Sequence, residues 1–138
     1  MPGRILVDSN VILDLLCEDA KWARWSDDAL MACAEHARLV INPIVFAEVS
    51  VGYRTMDGVD LPLSADLFAR EPLPWAAAFQ AGKAYEQYRR RGGNKRSPLP
   101  DFYIGAHAAV AGMGLLTRDA TRYRTSFPTV EIIAPDLP

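Results

Sequence analysis

Apolar and polar positions along this chain fall into short blocks that predict a regular alternation of strands and helices. Ile5-Leu6-Val7, Leu39-Val40-Ile41 and Leu115-Leu116 are brief apolar runs, and each gives way abruptly to a polar residue, Asp8, Asn42 or Thr117. Runs this short and this rich in branched residues read as strands buried on both faces, as in parallel sheets. Val130-Glu131-Ile132-Ile133 reads as a last strand. Between them the period changes. Val11 to Leu16 predicts a short apolar helix, with Ser9 or Asn10 available to cap it. Leu30, Cys33, Ala34 and Ala37 recur at i, i+3, i+4 and i+7, an amphipathic helix for which Ser26 is the expected cap. Asn42-Pro43 opens another helix, with Asn42 as N-cap and Pro43 in the first helical position. The Asp57-Gly58 turn signal places Thr55 to Pro62 in a loop, and a helix is expected over Ser64 to Ala69. Trp75, Phe79, Gly82 and Tyr85 trace one face of a longer helix that ends at Gly92-Gly93. Pro100-Asp101 opens a small-residue helix running to Gly112. The pattern predicts an α/β three-layer sandwich, a central parallel β-sheet flanked by helices.

Composition narrows the class without naming a function. The 138 residues suffice for one domain with its own core, spanning 1–138. Half are hydrophobic and 23% charged, a globular balance with no repeat or low-complexity tract. No apolar run is long enough to span a bilayer and no secretory signal is visible, so a cytoplasmic protein without membrane contact is expected. Cys17 and Cys33 have neither metal-type spacing nor the makings of a disulfide framework.

Net charge is −2, which argues against coating nucleic acid by bulk electrostatics. The distribution matters more. From Lys83 to Arg96 the chain carries Lys83, Arg89, Arg90, Arg91, Lys95 and Arg96 against Glu86, a basic strip on an otherwise acidic body. Such a strip suits local phosphate contact, and Arg89, Arg90, Arg91, Lys95 and Arg96 are the candidate phosphate-binding residues. The first three also complement a helix dipole, which is reason enough for them by itself.

Four acids stand out by position. Asp8 and Asp119 each follow a buried strand, and Glu48 and Asp101 each lie on a helix. Glu48 is the one charge in Ile44 to Val51, so it must reach water, a cation or a basic partner. Each acid has an ordinary explanation as a cap or turn residue. Together they suggest one crevice, provided the first strand and the Leu115–Thr117 strand are neighbours at a topological switch point. Carboxylates crowded there repel, and divalent cations sustain their charged forms. An oxygen-only set selects Mg²⁺ or Mn²⁺. Such ions activate water and neutralise charge building on a phosphodiester. Metal-dependent phosphodiester hydrolysis is the chemistry these residues indicate.

The ordered set Val7-Asp8-Ser9-Asn10-Val11, Glu48, Pro100-Asp101 and Leu116-Thr117-Arg118-Asp119 resembles the PIN-domain ribonucleases, specifically the VapC toxins of bacterial toxin–antitoxin pairs. The resemblance spans almost the whole chain and implies a PIN-like sandwich. It further implies an endoribonuclease with Asp8 and Asp101 as main metal ligands, Glu48 and Asp119 completing the acidic pocket, and Asn10 and Thr117 orienting carboxylates. It also implies a homodimer inhibited by a VapB-like antitoxin. No DNA-reading motif is present in the chain, so no direct DNA binding is expected. For the antitoxin, Trp22, Trp25 and the helix from Pro43 are the candidate docking surface. Two other readings remain beside this one: a PIN-like RNA-binding module without turnover, and a non-toxin PIN nuclease of RNA processing. An aspartyl-nucleophile phosphotransferase would need an acid two residues after Asp8, where Asn10 stands.

Overall fold

The computed structural model describes residues 2–94 and 99–135, so Lys95 and Arg96 of the basic strip lie outside the described residues. Five strands form one sheet: β1 (Arg4–Val7), β2 (Arg38–Ile41), β3 (Ala69–Arg70), β4 (Gly114–Leu116) and β5 (Ile132–Ile133). Every pairing is parallel, and the spatial order is β3-β2-β1-β4-β5. The helices flanking it are α1 (Ser9–Leu16), α2 (Ala23–His36), α3 (Pro43–Ser50), α4 (Met56–Asp60), α5 (Trp75–Arg90), α6 (Pro100–Ala111) and α7 (Thr121–Arg124).

The strand order carries the functional consequence. The chain builds outward from β1 through β2 to β3, then returns to lay β4 on the other side of β1. That reversal creates a crevice beyond the carboxyl ends of β1 and β4, where the two chains leave in different directions. Val7 is in register with Leu116, and the Asp8 amide continues the ladder by donating to the Leu116 carbonyl at 2.9 Å. Asp8 and Thr117 are thereby fixed side by side.

The core is the continuous apolar set that the strand pattern predicts. Ile5, Leu6, Val7, Val40, Leu115 and Leu116 are fully buried, joined by Val11, Val45 and Val49 from the helices. Asn42 caps α3 as its sequence indicates, accepting from the Val45 amide at 2.9 Å. Its amide nitrogen meets Nδ1 of buried His107 at 3.0 Å, so His107 is a packed histidine.

Several expectations are corrected. Ser64 to Ala69 forms no helix: Ser64 closes one turn through its hydroxyl and carbonyl, Phe68 is buried, and Ala69–Arg70 pairs with Val40–Ile41 as β3. Pairing with an open sheet edge outweighs a weak local helix preference. The expected Thr55–Pro62 loop contains α4, capped by Thr55, whose hydroxyl accepts from the Gly58 amide at 3.1 Å. Ser26 does not cap α2; it lies inside the helix and donates to Asp14 at 2.8 Å.

The face traced on α5 divides: Trp75 is 92% exposed and Phe79 62%, Tyr85 packs against Phe102 of α6, and the buried residues are Ala77, Ala81 and Ala84. The alanine stripe keeps the buried side of α5 small, while Tyr85 and Tyr88 pack their rings on Phe102 of α6. On α6 the same economy of volume recurs at Gly105, where an added Cβ would stand 2.3 Å from the Phe127 ring. Gly105→Ala is therefore expected to lower unfolding free energy by about 1–3 kcal/mol through overpacking. Chemical denaturation checks this, and adding Phe127→Leu should restore part of the loss.

Candidate active site

Asp8 is the N-cap of α1 and is almost fully buried, yet it makes no capping bond with its side chain. Its carboxylate is held by side chains from other elements. The Thr117 hydroxyl donates to Oδ2 at 2.8 Å and the Tyr123 hydroxyl donates to the same oxygen at 2.7 Å. Ser9 Oγ lies 3.5 Å from Oδ1. A buried carboxylate must be satisfied in this way or it destabilises the fold.

Glu48 comes from the middle of α3 and reaches the same crevice. The Ser9 hydroxyl donates to Glu48 Oε1 at 3.0 Å, so Ser9 stands between Asp8 and Glu48 rather than capping α1. Asp101 enters from the first turn of α6, where the helix dipole favours its charge. The Tyr123 hydroxyl lies 3.4 Å from Asp101 Oδ1, which puts Asp8 and Asp101 on either side of one phenol oxygen. Asp119 sits farther out at 44% exposure and joins the group through Arg122, whose Nε meets Asp119 Oδ2 at 2.9 Å. Nη1 of Arg122 lies 3.4 Å from Asp101 Oδ2.

Thr117 and Asn10 act in sequence. Thr117 touches Asp8 directly, whereas Asn10 Nδ2 donates to Thr117 Oγ1 at 3.3 Å and Asn10 Oδ1 accepts from the Arg118 amide at 3.2 Å. Asn10 thus fixes the loop that carries Thr117 and makes no hydrogen bond to a carboxylate among the described residues. Arg89 and Arg90 lie in the last turn of α5, and Arg91 is its C-cap. Tyr88 of that turn packs 5.7 Å from the ring of Phe102, the residue after Asp101. The last turn of α5 therefore packs beside the first turn of α6, which carries Asp101.

Electrostatics follow from this crowding. Burial pushes the Glu48 carboxyl above its usual range, and the charges of Asp8 and Asp101 push it further. Burial likewise raises Asp101; Arg122 opposes that shift and Asp8 adds to it. Tyr123 is driven far above the ordinary phenol value, first by burial and then by the two aspartates, so it remains a neutral donor.

Residues 5–128 match the sequence profile of the PIN domain. The chain belongs to the PIN domain family. No curated protein sequence gives a significant match to it. Among solved structures it is similar to VapBC2 from Rickettsia felis bound to a DNA fragment from their promoter, with a TM-score of 0.72 and 16% identity over 96% of this chain and 99% of that one. VapBC-1 from nontypeable Haemophilus influenzae gives a TM-score of 0.70 at 15% identity, covering 95% and 97%. FitAcB from Neisseria gonorrhoeae gives 0.64 at 22%, covering 94% and 96%. At these identities the likeness establishes a shared PIN fold.

Two residues of this PIN site, Tyr123 and Arg122, were not among those singled out from the sequence. Both lie on α7, a four-residue helix whose side chains become relevant only once β4 is known to lie beside β1. Their one sequence signal is position, a few residues beyond Asp119. Among the described residues, no three His, Cys, Asp or Glu side chains are gathered closely enough to form a ready chelate. The donor chemistry nonetheless fits Mg²⁺ or Mn²⁺, since Mg²⁺ keeps several waters and commonly takes only one or two protein carboxylates.

The Asp8 cluster yields a stability test. Asp8→Asn keeps one oxygen for Thr117 and Tyr123 and should unfold within about 1 kcal/mol of the parent. Asp8→Ala strands two buried hydroxyls and should cost about 2–4 kcal/mol by urea denaturation. Linkage gives a second test. Asp101 and Glu48 bind protons more tightly folded than unfolded, so their contribution is present below the unfolded values and is lost as pH rises through the raised ones. The stability of Asp101→Asn relative to the parent, without metal, is therefore expected to increase as pH rises above the ordinary carboxylate value.

Proposed function

We propose that this PIN-domain protein is a Mg²⁺- or Mn²⁺-dependent endoribonuclease acting as the toxin of a toxin–antitoxin pair. The observation that carries the reading is the convergence of Asp8, Glu48, Asp101 and Arg122-linked Asp119 on the crevice between β1 and β4. Asp8 and Asp101 are the residues that would hold the cation, with Glu48 and Asp119 completing its acidic surround. When bound, the ion supplies an activated water and neutralises charge on the phosphodiester. Thr117, Tyr123 and Ser9 orient the carboxylates, and Asn10 positions Thr117. Arg89, Arg90 and Arg91, with Lys95 and Arg96 following in the chain, bring positive charge to the RNA backbone.

The antitoxin part rests on the fold likeness to VapBC complexes and on an apolar cavity of about 310 Å³ along α3, lined by Pro43, Phe46, Ala47 and Met56. A VapB-like segment would lay an apolar face there. Trp22 and Trp25 stack edge to face with centroids 6.4 Å apart and do not line this cavity. The homodimer of the same reading would use the Trp75–Phe79 face of α5. Contact with promoter DNA would fall to the antitoxin.

The test is cleavage of RNA by purified protein in Mg²⁺ and in Mn²⁺. Asp8→Asn and Asp101→Asn should each lower the rate about a hundredfold or more while leaving circular dichroism and cooperative unfolding intact. Undiminished cleavage by either variant removes that residue from the mechanism. The rival reading, an RNA-binding module without turnover, draws on Arg122 already pairing with two of the acids. Metal-independent RNA binding with no cleavage in either ion would select it.

A further inference from the structure

Arg122 is the residue of the crevice that the nuclease reading leaves without a task. Its guanidinium spans Asp119 at 2.9 Å and Asp101 at 3.4 Å, and its charge bears on Glu48 and Asp8 as well. We propose that Arg122 is an exchangeable counter-ion, which holds Asp101 and Asp119 in the metal-free protein and yields them to an arriving divalent cation. This inference rests on the metal-site reading above and concerns how that site is kept before the ion binds.

Three observations support exchange over a fixed structural pair. The first is exposure: the Arg122 side chain is 55% exposed, so its head group can turn to solvent without opening the core. The second is contrast with its neighbours. Tyr123, next in the chain, is fully buried and anchors α7 whether or not Arg122 is in place. Arg118, close by, is committed elsewhere; its Nε holds buried Asp14 at 2.8 Å and its guanidinium lies 5.5 Å from the centroid of the Trp22 ring. The third is the state of the acids. Their oxygens are occupied by Thr117, Tyr123, Ser9 and Arg122, and among the described residues they form no closed chelate.

The charge balance permits the exchange. Four carboxyl groups facing one guanidinium leave acidic oxygens in excess, so a doubly charged ion is still attracted while Arg122 is present. Arg122 and the ion then compete for Asp101 and Asp119, because a cation near a cation is disfavoured. The guanidinium lowers the repulsion that the empty pocket would otherwise carry. The consequence is mutual antagonism between one side chain and one metal, a free-energy coupling that can be read from either side.

The decisive experiment is Mn²⁺ titration of the full chain by calorimetry and by Mn²⁺ electron paramagnetic resonance, without RNA, at a pH well above the ordinary carboxylate range. Arg122→Gln should bind Mn²⁺ about fivefold more tightly than the parent, the factor equivalent to one exposed ion pair. Arg122→Lys keeps the charge but loses the planar fork and should fall between them. The metal-free melting temperature of Arg122→Gln should drop, and added Mn²⁺ should raise it by more than it raises that of the parent. Equal or weaker Mn²⁺ affinity in Arg122→Gln would overturn the exchange. Asp8→Asn separates the two levels: if the parent takes up no Mn²⁺ that this variant loses, the metal site itself is refuted, a result distinct from an Arg122 effect that fails while Asp8-dependent binding stands.

Discussion

The Asp8 carboxylate is the constraint around which the other site elements are arranged. It is a charge almost wholly removed from water at the end of the central strand, a placement that is unfavourable unless every oxygen finds a donor. The donors come from the loop after β4 and from α7, while Ser9 relays the contact to Glu48 on α3. A parallel sheet brings these segments to one end because its strands all leave in the same direction. Satisfying one carboxylate therefore fixes β1 against β4, seats α7, and draws α3 and α6 to the same crevice.

The same arrangement is under electrostatic tension. Glu48 and Asp101 are both pushed toward their protonated forms, chiefly by burial and in part by neighbouring acids. The Ser9 hydroxyl relieves Glu48 and Arg122 relieves Asp101, but four acids outnumber the one guanidinium among them. In a PIN-fold chain that surplus fits hard divalent cations and their phosphate ligands. The cationic last turn of α5, whose Tyr88 packs on the helix that carries Asp101, places opposite charge beside it. A basic turn and an acidic crevice are thus carried on helices packed against each other, in a chain that is not basic overall.

Packing economy explains why those surfaces are so close. Ala77, Ala81 and Ala84 on α5 face α6, where Gly105 leaves room for Phe127, and small side chains let the helices approach. Tyr85 and Tyr88 pack on Phe102 at the far end of α5, while Trp75 and Phe79 stand in solvent. An apolar face of this kind on an otherwise satisfied helix is available to another chain.

Much of this was legible along the chain. Branched apolar runs ending at Asp8, Asn42 and Thr117 determined the main strands and the positions of the polar residues at their carboxyl ends, because strand burial and termination are local patterns. Asn42-Pro43 determined the start of α3 for the same reason, through a cap and a fixed dihedral. The β3 strand was not legible, since two residues acquire strand geometry only by pairing with the edge of β2. Which side of α5 is buried was not legible, since the approach to α6 favours alanine at Ala77, Ala81 and Ala84 and that approach is set by the partner helix. Ser9 and Ser26 looked like caps, but their hydroxyls are bound to Glu48 and Asp14 from other helices. Tyr123 and Arg122 had no role until the reversal of strand order placed β4 beside β1. The sequence by itself determined which residues could carry charge to the ends of strands and helices; only the tertiary structure decided which of those charges meet, because the ion pairs and hydrogen bonds joining them link positions as much as 115 residues apart.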